Sequence, residues 1–225
     1  MHRFISLINS KGGWKLERLA AFCDGVIAIV ITLLVLGIEV PSVHNVTQKE
    51  LGGYLLATLP SIIGYVVSFV MIGMYWMQHY AIFHFLTHAN RPFVILNGIF
   101  LLFLTFLPFP TGLHAVYFGD KLAAVIYGGA HILSAVSLLA LWLYATQDFR
   151  LVSKDIPREV VTSMNRRLAV APFLFLVAIC AAFINPWLSR LIFMTIPCCC
   201  MSQRAVDEGW LKMEPEVAVS EPPTV

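Results

Sequence analysis

An arginine and an aspartate, Arg18 and Asp24, stand six residues apart at the start of an apolar run that ends at Pro41. Ionisable groups at the mouth of a membrane helix are costly unless they pair, snorkel to headgroups or line a wet path. Farther along, Tyr65, Ser68, Ile72, Trp76, His79 and Phe83 recur at three- and four-residue spacing, which sets them on one helical face. Trp76 alone reads as an interfacial anchor. Taken with Arg18, Asp24 and His79 at the same bilayer level, it completes the donors and acceptors of a buried hydrogen-bonded network.

The remaining reactive side chains say less. His131 lies inside an apolar run, as a proton-handling group or, more simply, as the partner in a structural hydrogen bond. His84 and His88 have i, i+4 spacing but no accompanying carboxylate or thiol, so no metal site is expected. Cysteines at 23, 180 and 198–200 show no metal-ligand spacing. Cys23 and Cys180 read as small apolar fillers of membrane helices. Cys198, Cys199 and Cys200 read as a membrane-boundary terminus, with palmitoylation as the alternative. Without a convergent nucleophile–base or metal pair, an intramembrane enzyme is not indicated.

The elements that must position these groups are membrane helices. Of 225 residues, 59% are hydrophobic and 12% charged, about half the charged share of a soluble domain, and the mean hydropathy is +0.79. Apolar stretches near the 20 residues or so that a bilayer requires recur at roughly 18–39, 51–77, 93–109, 120–147, 167–184 and 187–201. The predicted fold is an all-α polytopic membrane protein with six transmembrane helices. If helical to Phe85, the second would run about 50 Å, so that it either projects from the bilayer or bends at Pro60. The sixth is short and is expected to be tilted or partly interfacial. No small-residue cleavage pattern follows the first helix, which argues against a cleavable signal peptide.

Twelve of the fifteen Lys and Arg residues fall on one side if both termini share it; the exceptions are Lys49, Lys121 and Arg190. The positive-inside rule then predicts a multi-pass cell-membrane protein with both termini cytoplasmic. The domain reading is a cytoplasmic N-terminal segment 1–17, a six-helix membrane domain 18–201 and an acidic cytoplasmic tail 202–225, expected to be disordered. No internal repeat is present, so a continuous path at a symmetry axis would require an oligomer.

At about 100° per residue, Arg18, Phe22, Gly25, Ile29, Thr32, Leu33 and Leu36 share one sector of the first helix, while Asp24 lies outside it beside Ala28 and Val35. The stripe suits either ordinary helix or lipid contact or a pore wall, and Thr32 has the option of bonding back to a helical carbonyl.

The run from Arg18 to Leu36, with Arg18 ahead of Phe22-Cys23-Asp24 and Pro41 at its end, resembles the first helix of the transmembrane protein 175 family of potassium channels. Ser68-Phe69, Trp76 and His79 on the second helix extend the likeness, as do Asn97 and Phe106-Leu107-Pro108-Phe109-Pro110-Thr111 on the third. Cys23 departs from the family's usual Ser, which weakens a hydroxyl hydrogen bond to a thiol contact. The resemblance implies a homotetramer in which the first helix lines a central pore, with no carbonyl-lined selectivity loop. It maps an apolar constriction to Ile29, with Leu33 and Leu36 beyond it and Thr32 supporting potassium preference. Arg18, Asp24, Trp76 and His79 would tie the inner ends of the first two helices together.

The function this implies is passive conduction of K+ and other monovalent cations, with modest preference for K+ over Na+ and a proton leak. The implied partners are further copies of the chain and the lipid bilayer; no nucleic acid and no cofactor beyond permeant K+ is expected. The alternative from the residues alone is a proton-coupled secondary transporter using Asp24, His79 or His131, although internal repeats and broken helices are not evident.

Overall fold

The computed structural model describes residues 15–41, 50–117 and 119–201. Most of the expected N-terminal segment, the whole tail 202–225 and the side chains of Cys199 and Cys200 lie outside the described residues. The chain folds as α1 (Leu16–Leu33), a 3-10 turn (Leu34–Gly37), α2 (Leu51–Phe85), α3 (Arg91–Phe106), α4 (Pro108–Val116), α5 (Lys121–Thr146), α6 (Arg158–Ile184) and α7 (Pro186–Met201). A second short 3-10 turn, Gln147–Phe149, follows α5.

Local chemistry explains where these helices start. The Asn90 side chain accepts from the backbone N–H of Phe93 at 3.0 Å, and Asp120 accepts from Ala123 at 3.0 Å, each satisfying an orphan donor of a first turn. Pro92 and Pro108 occupy opening positions of α3 and α4, where a missing N–H does no harm. Pro108 and Pro110 also withhold the N–H groups that would bond the carbonyls of Leu104 and Phe106. The third span therefore steps at Leu107 and continues as α4 to Val116, instead of stopping at 109 as the sequence pattern indicated.

Five stretches among the described residues are long and apolar enough to cross a membrane: Leu16–Gly37, Leu51–Phe85, Arg91–Val116, Lys121–Phe149 and Arg158–Ile184. The sixth expected span, α7, has 16 residues with Pro197 inside and extends about 24 Å at 1.5 Å per residue, short of a bilayer core of about 30 Å. α2 is continuous through Pro60 to Phe85, longer than the 51–77 read from hydrophobicity. α6 starts at Arg158 rather than 167, so much of the expected inner loop is helix. Polar residues in the last turns of α2 and the first turns of α6 conceal these extensions from a hydropathy reading, which registers apolar length rather than helical length.

α5 is the most enclosed span and packs against α6, α3 and α4. Its buried side includes Ala123, Ala124, Gly128, Ala130, Ser134 and Ala135, small residues that let membrane helices approach closely. At Gly128 an added Cβ would stand 2.6 Å from Ile179 Cγ1 on α6. α6 answers with Met164, Leu168, Ala171, Phe175, Ala178 and Ala182 buried at helical spacing. α1 lies at the margin, packed on α2 and α3.

Candidate functional site

α1 turns a narrow strip toward its own chain. Cys23, Ile27, Val30 and Leu34 are buried, three or four residues apart. Facing away are Phe22, Gly25, Thr32 and Leu33, with Ile29 60% and Leu36 74% exposed. Arg18 and Asp24 are exposed as well. The stripe read from periodicity is thus one continuous outward face, and its contacts must come from lipid or another chain. Within it, Thr32 Oγ1 donates to the Ile29 carbonyl at 2.8 Å. The hydroxyl proton is used on the helix itself, which leaves the oxygen as an acceptor only.

Two separate hydrogen-bonded links join α1, α2 and α3. Trp76 Nε1–H donates to Asp24 Oδ1 at 2.9 Å. Deeper in, Asn97 Nδ2 donates to Cys23 Sγ at 3.0 Å, and His79 Nε2 lies 2.8 Å from Asn97 Oδ1. With the amide nitrogen turned to sulfur, Oδ1 is the acceptor and the imidazole donates from Nε2. His79 and Asn97 are both buried, and the His79 ring stacks on Phe100 with centroids 5.4 Å apart. His79 accordingly pairs with Asn97 rather than directly with Asp24. The Arg18 side chain makes no hydrogen bond or ion pair among the described residues. An open cleft lies between α1 and α2, lined by Glu17, Asp24, His79, Tyr80, Phe83 and His84.

The other singled-out residues divide between packing and surface. Tyr75 OH donates to the His131 carbonyl at 3.1 Å and lies 3.3 Å from its Nδ1, while the imidazole stacks on Phe175. His88 lies beyond the end of α2 and bonds the Thr87 hydroxyl, so it does not share a helical face with His84. Cys180 and Cys198 are exposed; for Cys180 this replaces the expected filler role, because α6 turns that position outward. Pro110 is buried at the α3–α4 step, near Thr111.

Two features escaped residue-by-residue reading. Asn97 is the bridge between His79 and Cys23, and its helix was recognised without that role. Ser68, Thr111 and Tyr127 form a buried cluster across α2, α4 and α5, with Thr111 donating to Ser68 at 3.0 Å and Ser68 3.1 Å from the Tyr127 hydroxyl. A polar side chain at mid-helix was the available signal in each case, but nothing local indicates its partner.

Fold and site together define a class: a polytopic α-helical membrane protein whose first helix carries an outward apolar and hydroxyl face anchored by polar links at one end. A family profile described as the endosomal/lysosomal potassium channel TMEM175 matches residues 18–108. A potassium channel of Chamaesiphon minutus is 37% identical over 175 residues, covering 76% of this chain and 86% of the relative. The crystal structure of a lysosomal potassium-selective channel TMEM175 homolog from Chamaesiphon minutus superposes with a TM-score of 0.75 at 34% identity, covering 83% of this chain and 96% of that one. The endosomal/lysosomal proton channel TMEM175 of Gallus gallus is 42% identical over 98 residues, 41% of this chain and 20% of the relative. The chain belongs to the TMEM175 family, a family of ion channels rather than enzymes.

Proposed function

We propose that the protein is a potassium-permeable cation channel, assembled as a homotetramer with four α1 helices around a central pore. The observation that carries this reading is the outward face of α1, where Ile29, Leu33 and Leu36 surround a single hydroxyl at Thr32. A chain with one such face cannot enclose a path, whereas copies about an axis can. Four Ile29 side chains meeting there would form a hydrophobic constriction that gates by dewetting. Thr32 would present acceptor oxygens to an ion that has shed part of its hydration shell. An apolar ring excludes ions through dehydration, which is easier for K+ than for Na+, so selectivity is modest and protons leak.

In this reading residues 18–201 are the channel domain in a cell membrane, with both termini cytoplasmic. Asp24 with Trp76, and His79 with Asn97 and Cys23, hold α1 in the orientation that aims Ile29 at the axis. Arg18, which has room on the outward face, pairs across a subunit boundary or with headgroups. Phe22, Pro108 and Pro110 shape the same helices, and no cofactor takes part.

Reconstituted liposomes under opposing K+ and Na+ gradients test this. Passive K+-favouring flux that rises in Ile29→Asn supports a channel gated at that ring. Flux that requires a proton gradient and ignores position 29 overturns it in favour of a transporter.

A further inference from the structure

A second polar centre lies away from α1, where the α4–α5 and α6–α7 turns meet at one end of the bundle. His114 of α4 and Arg190 of α7 line two small adjacent spaces, one larger than the other. Both nitrogens of His114 are buried and make no hydrogen bond among the described residues. Its ring is held by stacking on Tyr127, with centroids 5.0 Å apart, and by the edge of Phe193. A buried polar group left without a partner is destabilising by about 1–3 kcal/mol, and such groups in native proteins call for an explanation, often a bound ion or water. Arg190 is half-buried and donates from one guanidinium nitrogen to the Pro60 carbonyl at 3.2 Å.

The two spaces differ in charge. The smaller includes Asp120, whose carboxylate caps α5 and repels an anion. The larger has His114, Arg190, Thr111 and Tyr127 as its polar wall, with Ile63, Val67 and Met194 among its apolar residues. The Thr111 and Tyr127 hydroxyls already engage Ser68. What the larger space offers a ligand is therefore a planar cation, an imidazole N–H and an apolar flank. Guanidinium groups match phosphate oxygens in shape and charge, and an apolar flank beside such a centre suits a ligand that carries acyl chains.

We propose that the larger space binds a phosphate oxyanion through Arg190 and His114, supplied by the headgroup of a phospholipid lying against α2 and α7. Free phosphate satisfies the same two groups, so the source is separated by measurement. The full-length protein is purified in a maltoside detergent, and its melting temperature is followed with added dioleoyl phosphatidylglycerol, dioleoylglycerol or inorganic phosphate. A site occupied well above its dissociation constant raises Tm by about 5 °C.

The expected result is a rise with phosphatidylglycerol and none with dioleoylglycerol, which has the same tails without phosphate. A rise with inorganic phosphate alone supports the oxyanion site and assigns its source to the free ion. His114→Phe, which keeps the ring stacking, should lose at least half of the rise, and Arg190→Met all of it. Should Arg190→Met fail to fold, His114→Phe and the charge-retaining Arg190→Lys decide the matter. An equal rise with dioleoylglycerol, no rise with any additive, or a full rise in His114→Phe overturns the proposal.

Discussion

The indole N–H of Trp76 on α2 and the carboxylate of Asp24 on α1 meet at 2.9 Å. Both side chains are partly open to their surroundings, so solvent brings the bond below the usual strength of one to a charged acceptor, to about 1 kcal/mol. Trp76→Phe should lower Tm by about 3 °C in a detergent melting experiment. Asp24→Asn keeps an acceptor and should lower it less, weakening assembly or opening while leaving the K+/Na+ preference unchanged in liposome flux. Loss of a proton-coupled flux in Asp24→Asn with assembly intact would count against this.

Asn97 serves two partners at once, accepting from His79 and donating to Cys23. Asn97→Leu strands the buried imidazole donor and should cost about 2–3 kcal/mol. Cys23→Ala removes only a weak sulfur acceptor and a small side chain, so its effect should be near 1 kcal/mol. Equal losses in the two variants, measured by melting, would show that the sulfur contact matters as much as the imidazole.

Thr32 donates its proton to Ile29 and keeps its lone pairs. Thr32→Ser preserves that geometry, and its K+/Na+ flux ratio should stay near wild type. Thr32→Val removes the oxygen at nearly constant shape; flux should persist while the ratio falls about two- to fivefold, corresponding to about 0.4–1 kcal/mol of lost ion preference. An unchanged ratio in Thr32→Val would remove Thr32 from the selectivity assignment.

His131 is enclosed by Tyr75, Tyr127 and Phe175, the surroundings of a packing residue. His131→Phe should leave passive K+ flux and its independence of a proton gradient unaltered. Tyr75→Phe removes one hydroxyl bonded to the backbone and should cost about 1 kcal/mol. Abolished flux in a folded His131→Phe protein would return His131 to the transport mechanism.

Gly128 of α5 packs against α6 with room for hydrogen alone beside Ile179. Gly128→Ala should destabilise the bundle by about 1–3 kcal/mol, and a compensating Ile179→Ala should recover part of that loss. A double variant no more stable than Gly128→Ala would place the strain elsewhere.

Periodicity reached the stripe on α1 because the 3.6-residue repeat sorts side chains by angle before any tertiary contact exists. It did not say which sector faces inward. Ile27 and Ile29 are equally apolar, yet one is 1% exposed and the other 60%; lipid and protein interior reward the same side chains. The Arg18–Asp24 spacing suggested one network, whereas the folded chain leaves Arg18 outside it and splits the remainder between Trp76 and Asn97. Hydrogen bonds of this kind depend on helix rotation and depth to within about an ångström, and sequence spacing constrains neither.

The amino-acid order was sufficient for the all-helical class, for a membrane as solvent and for the motif that belongs to the TMEM175 family. Each of these depends on composition, apolar length or short-range pattern, properties that a chain carries before it folds. Packing alone settled that Asn97 joins His79 to Cys23 and that His114 and Arg190 share one cavity. Those relations span 18 to 76 residues of chain, and they arise only when the steric fit of α1 with α2 and α3, and of α4 with α7, fixes how each helix is turned.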